Sequence, residues 1–177
     1  YSLATHGDEL AVGAPSFSST GYNYGKIFLY RRTGPSWTTA TLYDSLIAPE
    51  ELMLNHVGAD LIMNDRFLFA SGYNNFNNEH TNAILVYEKI NDAWEFQQLI
   101  KFARPLDKSW PSIQFSLQED KLMVGSAFSL EGGVAIFERN ADNGMWEQTL
   151  FLSAYVFSGF GGDVKLLSDH FFVGVPE

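Results

Sequence analysis

Cysteine is absent from the 177 residues, which excludes a disulfide framework, thiolate catalysis and thiolate metal sites. Charge is scarce and one-sided. Asp, Glu, Lys and Arg make up 18% of the chain, and 21 acids against 11 bases leave a formal charge of −10. An ordinary globular chain carries about 25%. The acidic balance argues against a nucleic-acid groove or an anionic membrane surface as the main partner. No apolar run approaches the ~18 residues of a membrane span, so no membrane insertion is expected. Aromatic residues, by contrast, reach 15%. That is too much apolar side chain to leave in water, and a disordered chain is excluded.

What organises the chain is an internal repeat. Leu10-Ala-Val-Gly-Ala-Pro15, Phe67-Leu-Phe-Ala-Ser-Gly72, Leu122-Met-Val-Gly-Ser-Ala127 and Phe171-Phe-Val-Gly-Val-Pro176 share one pattern, three apolar residues followed by small ones. The fourth positions, Gly13, Ala70, Gly125 and Gly174, are spaced by 57, 55 and 49 residues. Each copy follows a short turn marked by Asp8, Asp65, Asp120 or Asp169. Downstream recur Ile27-Phe-Leu-Tyr30, Ile84-Leu-Val-Tyr87 and Val134-Ala-Ile-Phe137, then Trp37, Trp94 and Trp146. Tyr30 to Trp37 and Tyr87 to Trp94 are both steps of 7, which places each Trp at the start of a last strand, packed between neighbouring units.

Each unit therefore holds about four short strands, in the second roughly 59–63, 66–71, 83–88 and 94–101. Runs such as Ile84–Tyr87 are apolar without alternation, so both faces of the sheet must be covered. One helical turn is expected near Pro49-Glu50-Glu51, with the proline in its first position. Four-stranded antiparallel units of this length, covered on both faces, predict an all-β chain: a partial β-propeller of about three and a half blades. The units run approximately 1–55, 56–109, 110–158 and, incomplete, 159–177. Such an array does not close a ring by itself, so further blades are expected from the same polypeptide or from other chains.

Phe160-Gly161-Gly-Asp-Val164-Lys-Leu-Leu-Ser-Asp169-His-Phe-Phe-Val173-Gly-Val-Pro176 resembles the FG-GAP repeat: a Phe-Gly, a strand, an Asp turn, then Val-Gly-Ala-Pro. The second unit keeps it as Val57-Gly58 through Ala70-Ser71-Gly72. In the third, Pro111-Ser112 stands at the Phe-Gly position, and the first opens inside the motif at Tyr1-Ser2-Leu3. The resemblance spans essentially the whole chain. It implies a propeller of the integrin α-subunit kind, an extracellular or cell-surface location, and a role in adhesion or protein recognition.

The remaining side chains point to no chemistry. Calcium loops of integrin-type propellers need several carboxylates in one turn, and the Asp turns here are too short. Asn140-Ala-Asp142-Asn-Gly144 reads as a hairpin turn. His6, His56, His80 and His170 lack metal-ligand spacing and read as solvated turn residues. No Gly-x-Ser-x-Gly elbow or phosphate loop occurs, and Glu50-Glu51 reads as a solvated pair. No catalytic residue, metal or cofactor is expected. The second-to-third-strand loops, 16–24 and 73–82, break the repeat and mix Tyr with Asn, Ser and Gly, a composition suited to recognition. Tyr22, Tyr24, Tyr73 and Phe76 in these loops, with the isolated Trp110, are the candidate ligand contacts. They are expected on one rim and more exposed than the three repeat Trp residues. A protein partner fits first and a glycan second. A third reading makes the chain a propeller domain of a larger enzyme whose active site lies elsewhere.

Overall fold

A computed structural model describes residues 1–18, 24–74, 81–101, 113–126, 132–154 and 159–175. Among them all regular structure is β-strand except two single turns of 3-10 helix. The chain divides into two compact units, residues 1–79 with 83–101, and 80–82 with 102–177.

In the first unit β1 (Ser2–His6), β2 (Glu9–Ala14), β3 (Lys26–Arg32) and β4 (Ala40–Leu46) form one antiparallel meander. A second sheet has its first strand in two pieces, β5 (Leu54–Asn55) and β6 (Leu61–Met63), both paired to β7 (Phe67–Asn74). It continues through β8 (Thr81–Ile90) and β9 (Ala93–Lys101). In the second unit β10 (Ile113–Gln118), β11 (Lys121–Ser126), β12 (Gly132–Arg139) and β13 (Trp146–Ala154) repeat the meander. β14 (Asp163–Leu166) and β15 (Phe171–Gly174) form a two-stranded sheet. The expected four-stranded antiparallel units are therefore present.

The repeat extends to an irregularity that spacing does not show. Register slips after Leu29, Val86 and Ile136, leaving Tyr43, Gln97 and Thr149 as one extra residue on each last strand. Such a bulge strengthens local twist and re-aims a side chain. Ion pairs repeat as well. Glu9–Arg31, Arg66–Glu88 and Lys121–Glu138 occupy the same repeat positions, at 2.6, 2.7 and 3.0 Å. Only the first has the acid on its second strand.

The apolar core of the first unit lies between its two sheets. Ala4, Ala11, Ile27, Leu29 and Leu46 from one meet Leu54, Val57, Met63, Leu68, Leu85 and Tyr87 from the other. In the second unit Met123, Val134 and Ile136 meet Val164, Leu166, Phe171 and Val173 in the same way. The opposite face of the first sheet is open, with Leu3 66% exposed and Leu42 54%. In the second sheet Phe67, Phe69, Ile84 and Val86 are buried as well as Leu68 and Leu85.

Paired glycines make close packing possible. Gly13 on β2 lies against Gly58, and a Cβ on Gly13 would sit 2.0 Å from the Gly58 carbonyl oxygen. Gly125 on β11 meets Gly161 likewise, at 2.4 Å. Gly58 and Gly161 are the glycines of Val57-Gly58 and Phe160-Gly161, at φ of 86° and 90°, where a side chain is strained. The small residues of the repeat are thus required by the hydrophobe-Gly turn of the next sheet.

The turn near Pro49 is present as a 3-10 helix, Glu50–Leu52, with Pro49 capping it from just outside rather than occupying its first position. Trp37 departs from expectation. Arg32, Lys89 and Arg139 pair with Ala40, Trp94 and Trp146. Ala40 is therefore the true counterpart of the two later Trp residues. Trp37 lies in a 3-10 turn, Trp37–Thr39, capped by the Ser36 hydroxyl, which lengthens that hairpin. It is 40% exposed, while Trp94 and Trp146 are 5% and 3% exposed. The equal steps of 7 were coincidental.

Candidate recognition surface

The second-to-third-strand end of the first sheet gathers aromatic side chains at the surface. The Phe17 N–H donates to the Ala14 carbonyl at 2.9 Å, and the Gly25 N–H donates to the Phe17 carbonyl at 3.1 Å. These bonds hold Phe17 beside Phe28, ring centroids 5.9 Å apart and nearly perpendicular. The Lys26 ammonium lies over both rings, 5.3 and 5.4 Å from their centres. Phe17 and Tyr24 remain exposed, Tyr24 at 42%.

Neighbouring backbone ties this edge to the second sheet. The Val57 N–H donates to the Tyr24 carbonyl at 3.1 Å, and Gly25 bridges Val57 in parallel. Tyr73 pairs with Asn55, two residues earlier. The structure thus anchors Tyr24 and Tyr73 to one short segment, residues 55–57. Tyr73 is half-buried, and burial raises its hydroxyl pKa. Tyr24 is far more exposed than Trp94 and Trp146, but level with Trp37. Tyr22, Phe76 and Trp110 lie outside the described residues, as does His80.

At the other end of the first unit the ionisable groups converge. Buried Glu9 accepts hydrogen bonds from the Arg31 guanidinium at 2.6 Å, the Lys89 ammonium at 2.9 Å and the Tyr43 hydroxyl at 2.9 Å. The bulge on β4 aims Tyr43 there. Trp94 Nε1 donates to the Tyr43 oxygen at 3.3 Å, and Asp92 pairs with both Arg31 and Lys89. Burial alone would raise the Glu9 carboxyl, but the three donors together hold its pKa below the ordinary value. Burial, aided by the Glu9 bond, pushes the Tyr43 hydroxyl up to about 12. Hydrogen bonds to Asp92 and then Glu9 raise Arg31 further. Two acids and two bases saturate one another here. This cluster clasps two sheets. Sequence reasoning missed it because Glu9 and Lys89 are 80 residues apart.

Elsewhere the turn residues keep to structural roles. Asn140 Oδ1 and Asn143 Oδ1 accept from the Asp142 and Met145 backbone N–H groups, and both side-chain amides reach Glu147. Those bonds, from Asn143 and then Asn140, lower the Glu147 pKa. His170 is an exposed turn residue, as expected, whereas His6 is exposed but ends β1, paired with Glu9. His56 is not: it is half-buried, and burial lowers its pKa against a hydrogen bond with the Pro15 carbonyl. Among the described residues no three His, Asp or Glu side chains gather as a metal site. No described helix is long and apolar enough to cross a membrane.

Four-stranded antiparallel meanders repeated along the chain define a class: the chain is a partial β-propeller. No family model and no curated protein matches it. A solved structure does, from a study of two prolyl endopeptidases and the role of inter-domain dynamics in their catalysis and specificity. It shares 15% identity with a TM-score of 0.55 and covers 99% of this chain. This chain spans about a quarter (24%) of that one. At this identity the likeness concerns the fold alone, and the matched protein contains a propeller.

Proposed function

We propose that this propeller segment is a non-enzymatic recognition module of the FG-GAP-like kind, acting in adhesion or protein binding at an extracellular or cell surface. Its binding surface is the rim carrying Phe17, Tyr24 and Lys26, continued toward Tyr73. The observation that carries this reading is the exposure of Phe17 and Tyr24, whose own backbone groups are held by hydrogen bonds to Ala14, Gly25 and Val57. Rigid aromatic rings beside a cation bring large contact area at low entropic cost. The FG-GAP resemblance supports the location and the adhesive role. The mutual neutralisation of Glu9, Arg31, Lys89 and Asp92 supports the absence of catalysis. A test is attachment of cells to the immobilised protein, run beside a glycan array. The F17A/Y24A double variant should keep its thermal stability and lose attachment by roughly tenfold or more, as hot-spot aromatics do. Array binding lost in the same variant would replace the protein partner with a glycan. Attachment and array signals that ignore both substitutions would overturn the reading.

A further inference from the structure

The turn between β12 and β13 holds a reactive pair that the recognition reading does not use. Asn143 is followed by Gly144, and no other asparagine of the chain precedes a glycine. Ala141, Asp142 and Asn143 are exposed. Two main-chain bonds close the turn. The Asn140 N–H donates to the Met145 carbonyl, and the Gly144 N–H donates to the Asn140 carbonyl, both at 2.8 Å. Gly144 has a φ of 73°, a conformation that favours glycine. A glycine also gives its nitrogen the least hindered approach to the side-chain carbonyl of the residue before it. Here that carbonyl belongs to Asn143.

Hydrogen bonds within the turn set both the reactivity and the restraint of this pair. The Met145 N–H donates to Asn143 Oδ1 at 2.8 Å. It thus lies on the oxygen that takes up negative charge when a nitrogen adds to Cγ, where a donor stabilises the oxyanion. Two other bonds oppose the reaction. The Gly144 N–H is occupied by the Asn140 carbonyl, and Asn143 Nδ2 donates to Glu147 Oε1 at 3.0 Å. A carboxylate accepting from the amide favours its resonance form with positive charge on nitrogen, and Cγ becomes the poorer electrophile. Asn140 Nδ2 reaches the same carboxylate at 3.2 Å, so Glu147 fastens both asparagines of the turn. Those bonds keep Glu147 ionised near neutral pH.

We propose that Asn143 is a self-modification site, converting to aspartate and isoaspartate through attack by the Gly144 nitrogen, with Glu147 as its brake. The bond formed joins Gly144 N to Asn143 Cγ, and the bond broken is Cγ–Nδ2. The Gly144 amide proton leaves with Nδ2 as ammonia, and a succinimide remains. Water then opens that ring on either side of the Gly144 nitrogen. Cleavage from Cγ gives aspartate, and cleavage from the Asn143 main-chain carbonyl carbon gives isoaspartate. Water enters and ammonia leaves, with no change of oxidation state. Either product loosens the turn. Aspartate sets a second carboxylate where an amide had donated to Glu147, and attraction becomes repulsion. Isoaspartate adds a methylene to the main chain inside the loop that the two closing bonds span. Buried Trp146 opens β13 directly after this turn, and its pairing with Arg139 is the first to feel the change. The site lies apart from the aromatic rim, so the two readings stand or fall separately.

The test incubates the full 177-residue chain near neutral pH and follows each asparagine by peptide mass spectrometry. Asn143 should convert ahead of every other asparagine and give both products. The folded Glu147→Ala variant should convert roughly threefold faster or more, because a hydrogen bond to a charged group is lost. In urea strong enough to unfold both proteins the two rates should coincide, which separates a brake built by the fold from a local sequence effect. Amide exchange at Asn140 and Gly144 should quicken in Asn143→Asp, with unchanged exchange in β10 and β11 showing that the fold is kept. An Asn143 still intact after many weeks would overturn the proposal. Aspartate without isoaspartate would overturn it as well, since that is direct hydrolysis by water. Equal rates for folded parent and Glu147→Ala would remove Glu147 from its role.

Discussion

Alanine at three equivalent glycines should separate the seams between sheets from an open edge. At Gly13 the new methyl would lie 2.0 Å from the Gly58 carbonyl oxygen and 2.5 Å from Ser2 Oγ, whose own bond to that carbonyl is 2.8 Å. At Gly125 it would lie 2.4 Å from the Gly161 oxygen and 2.5 Å from Val164. A carbon–oxygen contact needs about 3.3 Å, so either seam must open by about 1 Å. Overpacking of that kind costs about 1–3 kcal/mol. The stiffer unfolded chain of an alanine variant offsets about 0.4–1 kcal/mol of it. The expected net loss is about 1–2 kcal/mol at each seam, or roughly 2–8 °C in melting temperature for a chain of this size. At Gly174 the nearest atom is Asp163 Cβ at 3.1 Å, which a shift of a few tenths of an ångström relieves. Its alanine variant should melt within roughly 2 °C of the parent. Differential scanning fluorimetry of the three variants decides the matter. A Gly174→Ala loss equal to that of Gly13→Ala would refute the seam argument.

Two further outcomes follow from the same contacts. Trp94→Ala should cost roughly 3–5 kcal/mol in urea denaturation. Trp37→Ala should cost under about 1 kcal/mol, since that ring is half in water and lies under the Arg32 guanidinium, 5.0 Å from it. Glu9→Gln should cost about 1.5–3 kcal/mol near neutral pH through weakened charged hydrogen bonds. Because the folded Glu9 pKa lies below the ordinary 4.5, its contribution is complete above that value and is lost as pH falls through the folded pKa. The stability gap between parent and variant should therefore narrow from pH 6 to pH 3. A gap that widens on acidification would reverse the assignment.

Much of the fold was legible because a propeller blade repeats its hydrophobic pattern. Leu122-Met-Val-Gly and Val134-Ala-Ile-Phe mark strands whatever the loops between them do, and every blade offers another reading of the same template. Position within a hairpin was less legible. Trp37 and Trp94 both stand 7 residues after a Tyr, yet the Ser36-capped turn displaces Trp37 to the surface. Loop length carries no pairing information until the register is known. The glycines could be seen to recur, but not that Gly13 and Gly58 recur because each touches the other. The Glu9 clasp was hidden for a similar reason. Its charges are ordinary in sequence and meet only when two sheets stack. The candidate rim divides likewise: Tyr24 is exposed, whereas Tyr73, read from the same loop composition, is partly covered because it belongs to the end of β7.

The central claim is that Gly13 and Gly125 each pack on the hydrophobe-Gly turn of the following sheet, and nuclear Overhauser contacts report on it most directly. The account predicts strong Hα–Hα contacts between Gly13 and Gly58 in selectively glycine-labelled protein, matched by Gly125 with Gly161. Missing contacts at both seams, in a protein whose strand amides are otherwise protected, would contradict it.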